Sequence, residues 1–129
     1  MFKKVSIAVL LLAGVGAHAA PTFCPVAGNY RGQYSGNTDS GTLAAIVEPA
    51  DGTVRGVAMS ADGRQFPFGG VIARDGSFSS GAVATGAQFV GRFASTASGQ
   101  IFGQGDWALG GLEGGKWKII RESAPGNCL

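Results

Sequence analysis

Residues 88–94 read Gln88-Phe89-Val90-Gly91-Arg92-Phe93-Ala94, and residues 101–107 read Ile101-Phe102-Gly103-Gln104-Gly105-Asp106-Trp107. In an extended chain Phe89, Gly91 and Phe93 fall on one side, with Gln88 and Arg92 on the other. In the second stretch Ile101, Gly103, Gly105 and Trp107 share a side, and Gln104 and Asp106 oppose them. A period of two is the mark of a half-buried strand. A helix would scatter these side chains around its circumference, and each interior glycine would cost it about 1 kcal/mol relative to alanine. The turn residues Ser95 to Gly99 join the two stretches, so they are expected as antiparallel neighbours.

The same rhythm runs outward in both directions. Tyr30, Gly32 and Tyr34 alternate with Arg31 and Gln33. Phe66, Phe68 and Gly70 share a face, and Trp117 and Ile119 oppose Lys118. Asp51-Gly52, Asp62-Gly63 and Asp75-Gly76 are hairpin cues, while Asn37-Thr38-Asp39 and Gly110 to Gly115 are looser turns. These breaks predict eight strands, at 29–35, 41–48, 53–60, 64–72, 76–83, 86–94, 100–108 and 115–122. Their short connections exclude parallel crossovers, which need about a dozen residues or more. The expected fold is therefore all-β, an antiparallel up-and-down meander of about eight short strands. Strand twist and the cost of exposed edges favour closure into a small β-barrel. A two-sheet β-sandwich built from the same hairpins is the alternative.

Within a barrel the inward face alternates rings with glycine. Tyr30, Tyr34, Phe66 and Phe68 come from the first half of the chain, and Phe78, Phe89, Phe93, Trp107 and Trp117 from the second, with Ile101 and Ile119 beside them. The glycines are expected to leave room for rings from across the lumen and to let strands bend. Pro67 lacks an N–H and is expected at a bulge or strand end.

The N-terminal residues read as an export signal. Lys3 and Lys4 precede an apolar run from Val5 to Val15, and Ala17-His18-Ala19 fits a cleavage site. Cleavage after Ala19 leaves 20–129 as a single domain. The apolar run is about eleven residues, short for a bilayer span. No membrane span is expected in the mature chain, and the expected location is the bacterial periplasm or the cell exterior. Phe23 directly before Cys24 argues against a lipid-attachment site. Cys24 and Cys128 are the only cysteines, near opposite ends of the mature chain. In an oxidising compartment they are expected to pair. Closing a loop of about a hundred residues is worth about 4.7 kcal/mol in the chain-entropy account.

Composition removes several functions. The 129 residues carry ten Lys+Arg against eight Asp+Glu, a net charge of +2. Lys3 and Lys4 lie in the signal, so the mature chain has eight of each and is neutral, with no footprint for nucleic acid. His18, the only histidine, leaves with the signal. No histidine base, Ser-His-Asp triad or histidine metal ligand is then available. Asp51, Asp62 and Asp75 are explained by their turns, and Asp39, Asp106, Glu48, Glu113 and Glu122 show no pairing suited to acid–base work. Calcium-loop spacing is missing and two distant cysteines do not make a zinc site. No catalysis, metal or cofactor is expected.

The glycine–aromatic–glycine rhythm resembles that of avidin-like barrels and of the barrel domains of bacterial surface lipoproteins. The several tryptophans of a biotin site and the lipid anchor are missing, so no residue role follows from either.

The expected function is that of an exported, non-catalytic binding or envelope-associated accessory protein, a small enzyme inhibitor being one form. Its candidate protein-binding patch is Val90, Phe102 and Ile120, which point outward, with Arg92, Gln104 and Lys118 at the rim. The loop Gly110-Gly111-Leu112-Glu113-Gly114-Gly115 is a second candidate contact. The alternative is a carrier with a small apolar ligand inside the barrel, against which stands the bulk of the inward rings.

Overall fold

The computed structural model describes residues 22–80, 87–109 and 112–129. It contains β1 (Gly28–Gly36), β2 (Ser40–Val47), β3 (Thr53–Ser60), β4 (Gln65–Ile72), β5 (Ser77–Ser80), β6 (Ala87–Ser95), β7 (Ile101–Leu109) and β8 (Leu112–Ser123). Each strand pairs antiparallel with the next, and β8 returns to β1 to close a barrel. Across that seam Tyr30 faces Arg121 and Tyr34 faces Trp117. Every strand thus has two neighbours and the sandwich alternative is set aside. The expected export signal 1–19, positions 81–83 of the fifth expected strand, position 86 of the sixth, and Gly110-Gly111 lie outside the described residues.

Three hairpins share one turn. The N–H of Gly63 donates to Ser60 O, that of Gly76 to Ala73 O and that of Gly99 to Thr96 O, each at 2.9 Å. The three glycines have φ of 91°, 90° and 90°, the left-handed region where a Cβ is strained. This is the three-residue hairpin loop with glycine in the left-handed position, not the two-residue loop that Asp-Gly most often signals. Ser95–Gly99, read as a looser turn, belongs to the same class. In the 73–77 turn Asp75 Oδ1 accepts from the Ser77 N–H at 2.9 Å and from its hydroxyl at 2.7 Å. Those bonds hold the Asp75 carboxyl below the usual range.

Beside the room for rings and the strand bending expected of them, the glycines allow close approach of neighbouring strands. A Cβ at Gly105 would lie 1.9 Å from Val90 O, and one at Gly32 would lie 1.8 Å from Lys118 O. At these positions the neighbouring strand's backbone, not a ring, fills the space. Tight coiling of a small barrel brings strands that close, and only a residue without Cβ permits it. The expected accommodation of rings does occur at Gly56, beside Phe68, and at Gly103, beside Phe93.

Two further expectations are corrected. Pro67 is neither at a bulge nor at a strand end: it pairs with Val57 in the middle of β4. The Ile72 N–H donates to Gly52 O, on the β3 side. By alternation position 67 points its missing donor to the other side, where described pairing with β5 covers only Gly70 to Ile72. The last strand begins at Leu112, not 115, because Gly114 lets the chain pass against Trp107; a Cβ there would meet Trp107 O at 2.1 Å. A register shift between Trp107 and Ala108 absorbs the difference.

The lumen is packed. Tyr30, Phe78, Phe89, Phe93, Trp117 and Ile119 are buried with aliphatic partners such as Leu43 and Val54, while Phe66 and Ile101 are half-buried against them. Rings meet edge to face, as Tyr30 with Phe93 at 5.3 Å and Phe78 with Trp117 at 5.8 Å. Edge-to-face contact sets positive ring edges on negative faces and adds about 0.5–1.5 kcal/mol per pair beyond burial. The Trp117 indole N–H donates to Val90 O at 2.9 Å and Asp106 O at 3.1 Å, so its polar atom is satisfied by the closely coiled backbone.

Cys24 and Cys128 form a disulfide, with Cα atoms 5.3 Å apart. It ties residues before β1 to residues after β8 at the end of the barrel where β1 begins. The same end holds Phe23, whose N–H donates to Pro49 O at 2.9 Å. Here the Tyr30 hydroxyl donates to Val26 O at 2.6 Å and Arg121 Nη1 to Ala27 O at 3.1 Å. A disulfide of this kind is consistent with an oxidising environment.

Candidate functional site: the pocket at one end of the barrel

Between the packed centre and the opposite end, the lumen changes character. The space among Leu43, Val54, Phe68, Phe78, Phe93 and Trp117 is about 10 Å³, room for about one water at most. At the end where β1 finishes and β2 starts there is a pocket of about 220 Å³. Its walls are Tyr34 from β1, Phe66 and Phe68 from β4, Phe89 from β6, and Trp107 and Leu109 from β7. Thr38, Asp39 and Arg64 stand at its rim.

Local sequence places each group. Tyr34, Phe66, Phe68, Phe89 and Trp107 are inward by the period of two, and they fall in the last or first turns of strand that reach the mouth. The Trp107 indole is oriented by an N–H bond to Ser35 O at 3.0 Å. Tyr34 stands edge-on to Trp107 at 5.4 Å and to Phe89 at 6.3 Å. Its hydroxyl donates to Asp39 Oδ2 at 3.1 Å. Burial, together with that carboxylate, pushes the Tyr34 phenol up to about 12. Asp39 also accepts, at Oδ1, from the N–H of the next residue, Ser40, at 2.8 Å, where β2 begins.

Arg64 follows the Asp62-Gly63 turn. Its Nε donates to Asp62 Oδ1 at 3.0 Å and Oδ2 at 2.8 Å. Its guanidinium carbon sits 5.4 Å from the Phe66 ring centroid. The Ser60 hydroxyl also donates to Asp62, and with Arg64 it draws that carboxyl down to about 2.

The expected outer patch is spread along the barrel. Val90, Phe102 and Ile120 lie on the outer face. Phe102 faces Ile120 directly, both half-buried, and Lys118 Nζ sits 5.2 Å from the Phe102 ring. Val90, 45% exposed, faces Asp106 instead. Between them runs the row of Arg92, Gln104 and Lys118. Arg92 donates to Asp75 O at 2.9 Å, and Lys116 pairs with Asp106. Same-face alternation is therefore confirmed for the three apolar residues, but the register groups only Phe102 with Ile120. Of the Gly110–Gly115 loop, positions from Leu112 on belong to β8.

Sequence reading identified the rings of the mouth as lumen side chains but not as a site. Asp39 and Arg64 were missed there, since each belongs to a turn, and it is the β2–β3 register, Gly41 opposite Ser60, that sets the two turns side by side at one rim. Among the described residues no group of three or more His, Cys, Asp or Glu side chains is placed to hold a metal.

Fold and site together define an eight-stranded meander barrel with a solid centre, a disulfide-tied end and an aromatic pocket at the other end. No protein-family model and no curated protein matches the chain.

Proposed function

We propose that this is an exported, non-catalytic binding protein whose site is the mouth of the barrel, and that its ligand is small and largely apolar. One observation carries the reading: the pocket of about 220 Å³ walled by Tyr34, Phe66, Phe68, Phe89, Trp107 and Leu109. Pockets for drug-sized molecules run from about 300 Å³, whereas an apolar cavity of about 150 Å³ holds benzene. The mouth thus suits one ring with a short arm, not a haem or a long acyl chain. The solid centre restricts the carrier idea to this end. Export is supported by the charged, apolar and small-residue order of 1–19 and by the Cys24–Cys128 disulfide.

The test uses the oxidised protein and its two tryptophans. Trp107 lines the mouth, and Trp117 sits in the packed centre. Titration with small aromatics, quinones and short fatty acids should change the emission of Trp117→Phe, which keeps Trp107. The emission of Trp107→Phe should change little. A flat response across all probes in the parent protein, with a bare mass in native mass spectrometry of protein from its exporting host, would defeat the proposal. A protein partner seated on Phe102 and Ile120 is the second reading, favoured by their direct pairing on the outer face. It predicts that Ile120→Lys abolishes capture of a partner while leaving the melting temperature unchanged.

A further inference from the structure

The charge arrangement at the mouth points to the class of ligand. We infer that the site takes a small organic amine, bound as its ammonium, with the ring or apolar arm of the ligand among the aromatic walls. This rests on the mouth being the binding site.

Three observations converge. The first is the wall itself: Tyr34, Phe66, Phe68, Phe89 and Trp107 surround one small pocket, and ring faces carry the negative side of the quadrupole, which attracts cations. The second is that the wall already receives a cation, since the Arg64 guanidinium carbon lies 5.4 Å from the Phe66 centroid. The third is the charge balance. Asp62 is engaged by Arg64 through both carboxylate oxygens. Asp39 is half-buried at the same rim, and its two hydrogen bonds come from neutral donors, the Tyr34 hydroxyl and the Ser40 N–H. Among the described residues Asp39 forms no ion pair. The stretches 81–86 and 110–111 contain no charged residue. One negative charge at the rim is therefore left over, beside ring faces that favour the opposite sign.

A carboxylate ligand would meet the reverse situation. Its natural partner, Arg64, already shares its Nε with Asp62, which weakens its pull on a second carboxylate, and Asp39 would repel that ligand at the same rim. A neutral ligand would fill the walls but leave Asp39 only a share of Arg64, which Asp62 engages directly. The ammonium group satisfies both features at once, its N–H donors reaching Asp39 and its charge facing the rings.

The experiment compares three probes of nearly equal shape on the oxidised full chain at pH 7: benzylamine, benzyl alcohol and benzoate. Affinity is read by calorimetry or by Trp107 emission. Benzylamine should bind about tenfold more tightly than benzyl alcohol, most of the preference coming from the Asp39 carboxylate and the rest from the ring faces, and benzoate should bind most weakly. Raising the salt concentration should shrink the amine preference and leave benzyl alcohol unaffected. In Asp39→Asn the preference should fall to about twofold or less while benzyl alcohol affinity persists, which also shows that the variant is folded. Should that variant not fold, the ranking and its salt dependence in the parent protein decide. Equal affinity for benzylamine and benzyl alcohol, or benzoate binding best, overturns the inference and leaves the mouth as the site. Failure of all three to bind overturns the mouth reading itself, and this inference with it.

Discussion

Gly105→Ala should be one of the most damaging single-methyl additions in the molecule. Gly105 of β7 faces Gly91 of β6 and Trp117 of β8. A Cβ built on it lies 1.9 Å from Val90 O and 2.6 Å from Gly91 Cα. Relief to a bare 3.0 Å requires β6 and β7 to separate by about 1 Å at that rung. The obstacle is backbone on both sides, so no rotamer change removes it. Overpacking of this kind costs typically 1–3 kcal/mol and sometimes more. The displaced carbonyls are also those that receive the Trp117 indole N–H, at 2.9 and 3.1 Å. Losing that pairing adds about 1–3 kcal/mol for a buried donor left unsatisfied. The opposing gain, from stiffening the unfolded chain, is only about 0.4–1 kcal/mol. A net loss of about 3 kcal/mol lowers the melting temperature by about 10 °C or more in a domain of this size. The control is Gly69→Ala in β4, where among the described residues a Cβ meets nothing closer than Val54 O at 3.4 Å, an ordinary contact. That variant should keep the parent melting temperature or gain slightly. Calorimetric melting of both oxidised variants against the parent checks the pair. If Gly105→Ala melts within a degree or two of the parent, or if Gly69→Ala falls as far, the argument that strand coiling demands glycine is wrong.

Two other expectations are open to direct test. Reduction, or the double substitution Cys24→Ala with Cys128→Ala, should lower stability by up to about 4.7 kcal/mol in the loop-entropy account, read as a lower urea midpoint with a steeper slope, because the unlinked unfolded chain exposes more surface; unchanged stability would refute that account for this pair. Both tyrosines of the chain have phenols raised by burial, that of Tyr34 to about 12 and that of Tyr30 further up. The folded state therefore keeps protons that the unfolded chain releases near pH 10, so stability is intact below pH 10 and falls as pH rises from there through 12. Phenolate absorbance should stay low at pH 10.5 while circular dichroism remains native, and half-ionised tyrosines in a native fold at pH 10 would contradict the buried placement.

Much of this molecule was legible from local rules. Two-residue periodicity needs no knowledge of partners, because successive side chains of an extended strand must point to opposite faces. Phe89, Phe93, Trp107 and Trp117 could therefore be assigned inward, and Arg92, Gln104 and Lys118 outward, before any strand was paired. Short connections forced antiparallel neighbours, and so the meander. Asp75-Gly76 and Asp62-Gly63 announced their turns because glycine alone adopts the left-handed position at little cost.

What tertiary structure decided is which residues meet. Val90, Phe102 and Ile120 share the outer face, but only the register reveals that Val90 stands beside Asp106 while Phe102 stands beside Ile120. Gly32 and Gly105 read as space for rings, yet their Cβ positions are occupied by the next strand's carbonyls, a consequence of barrel curvature. Pro67 sits in mid-strand with its missing donor on the β5 side, where pairing among the described residues covers Gly70 to Ile72. Asp39 and Arg64 lie 25 positions apart in separate turns, and the β2–β3 register brings them to one rim, where rings from β1, β6 and β7 meet them. Alternation and turn chemistry act over a few residues, and so can be read from the chain. Register and curvature arise from contacts between paired strands, and the contents of the barrel mouth from strands around the whole barrel, so none of them follows from the local pattern of a single segment.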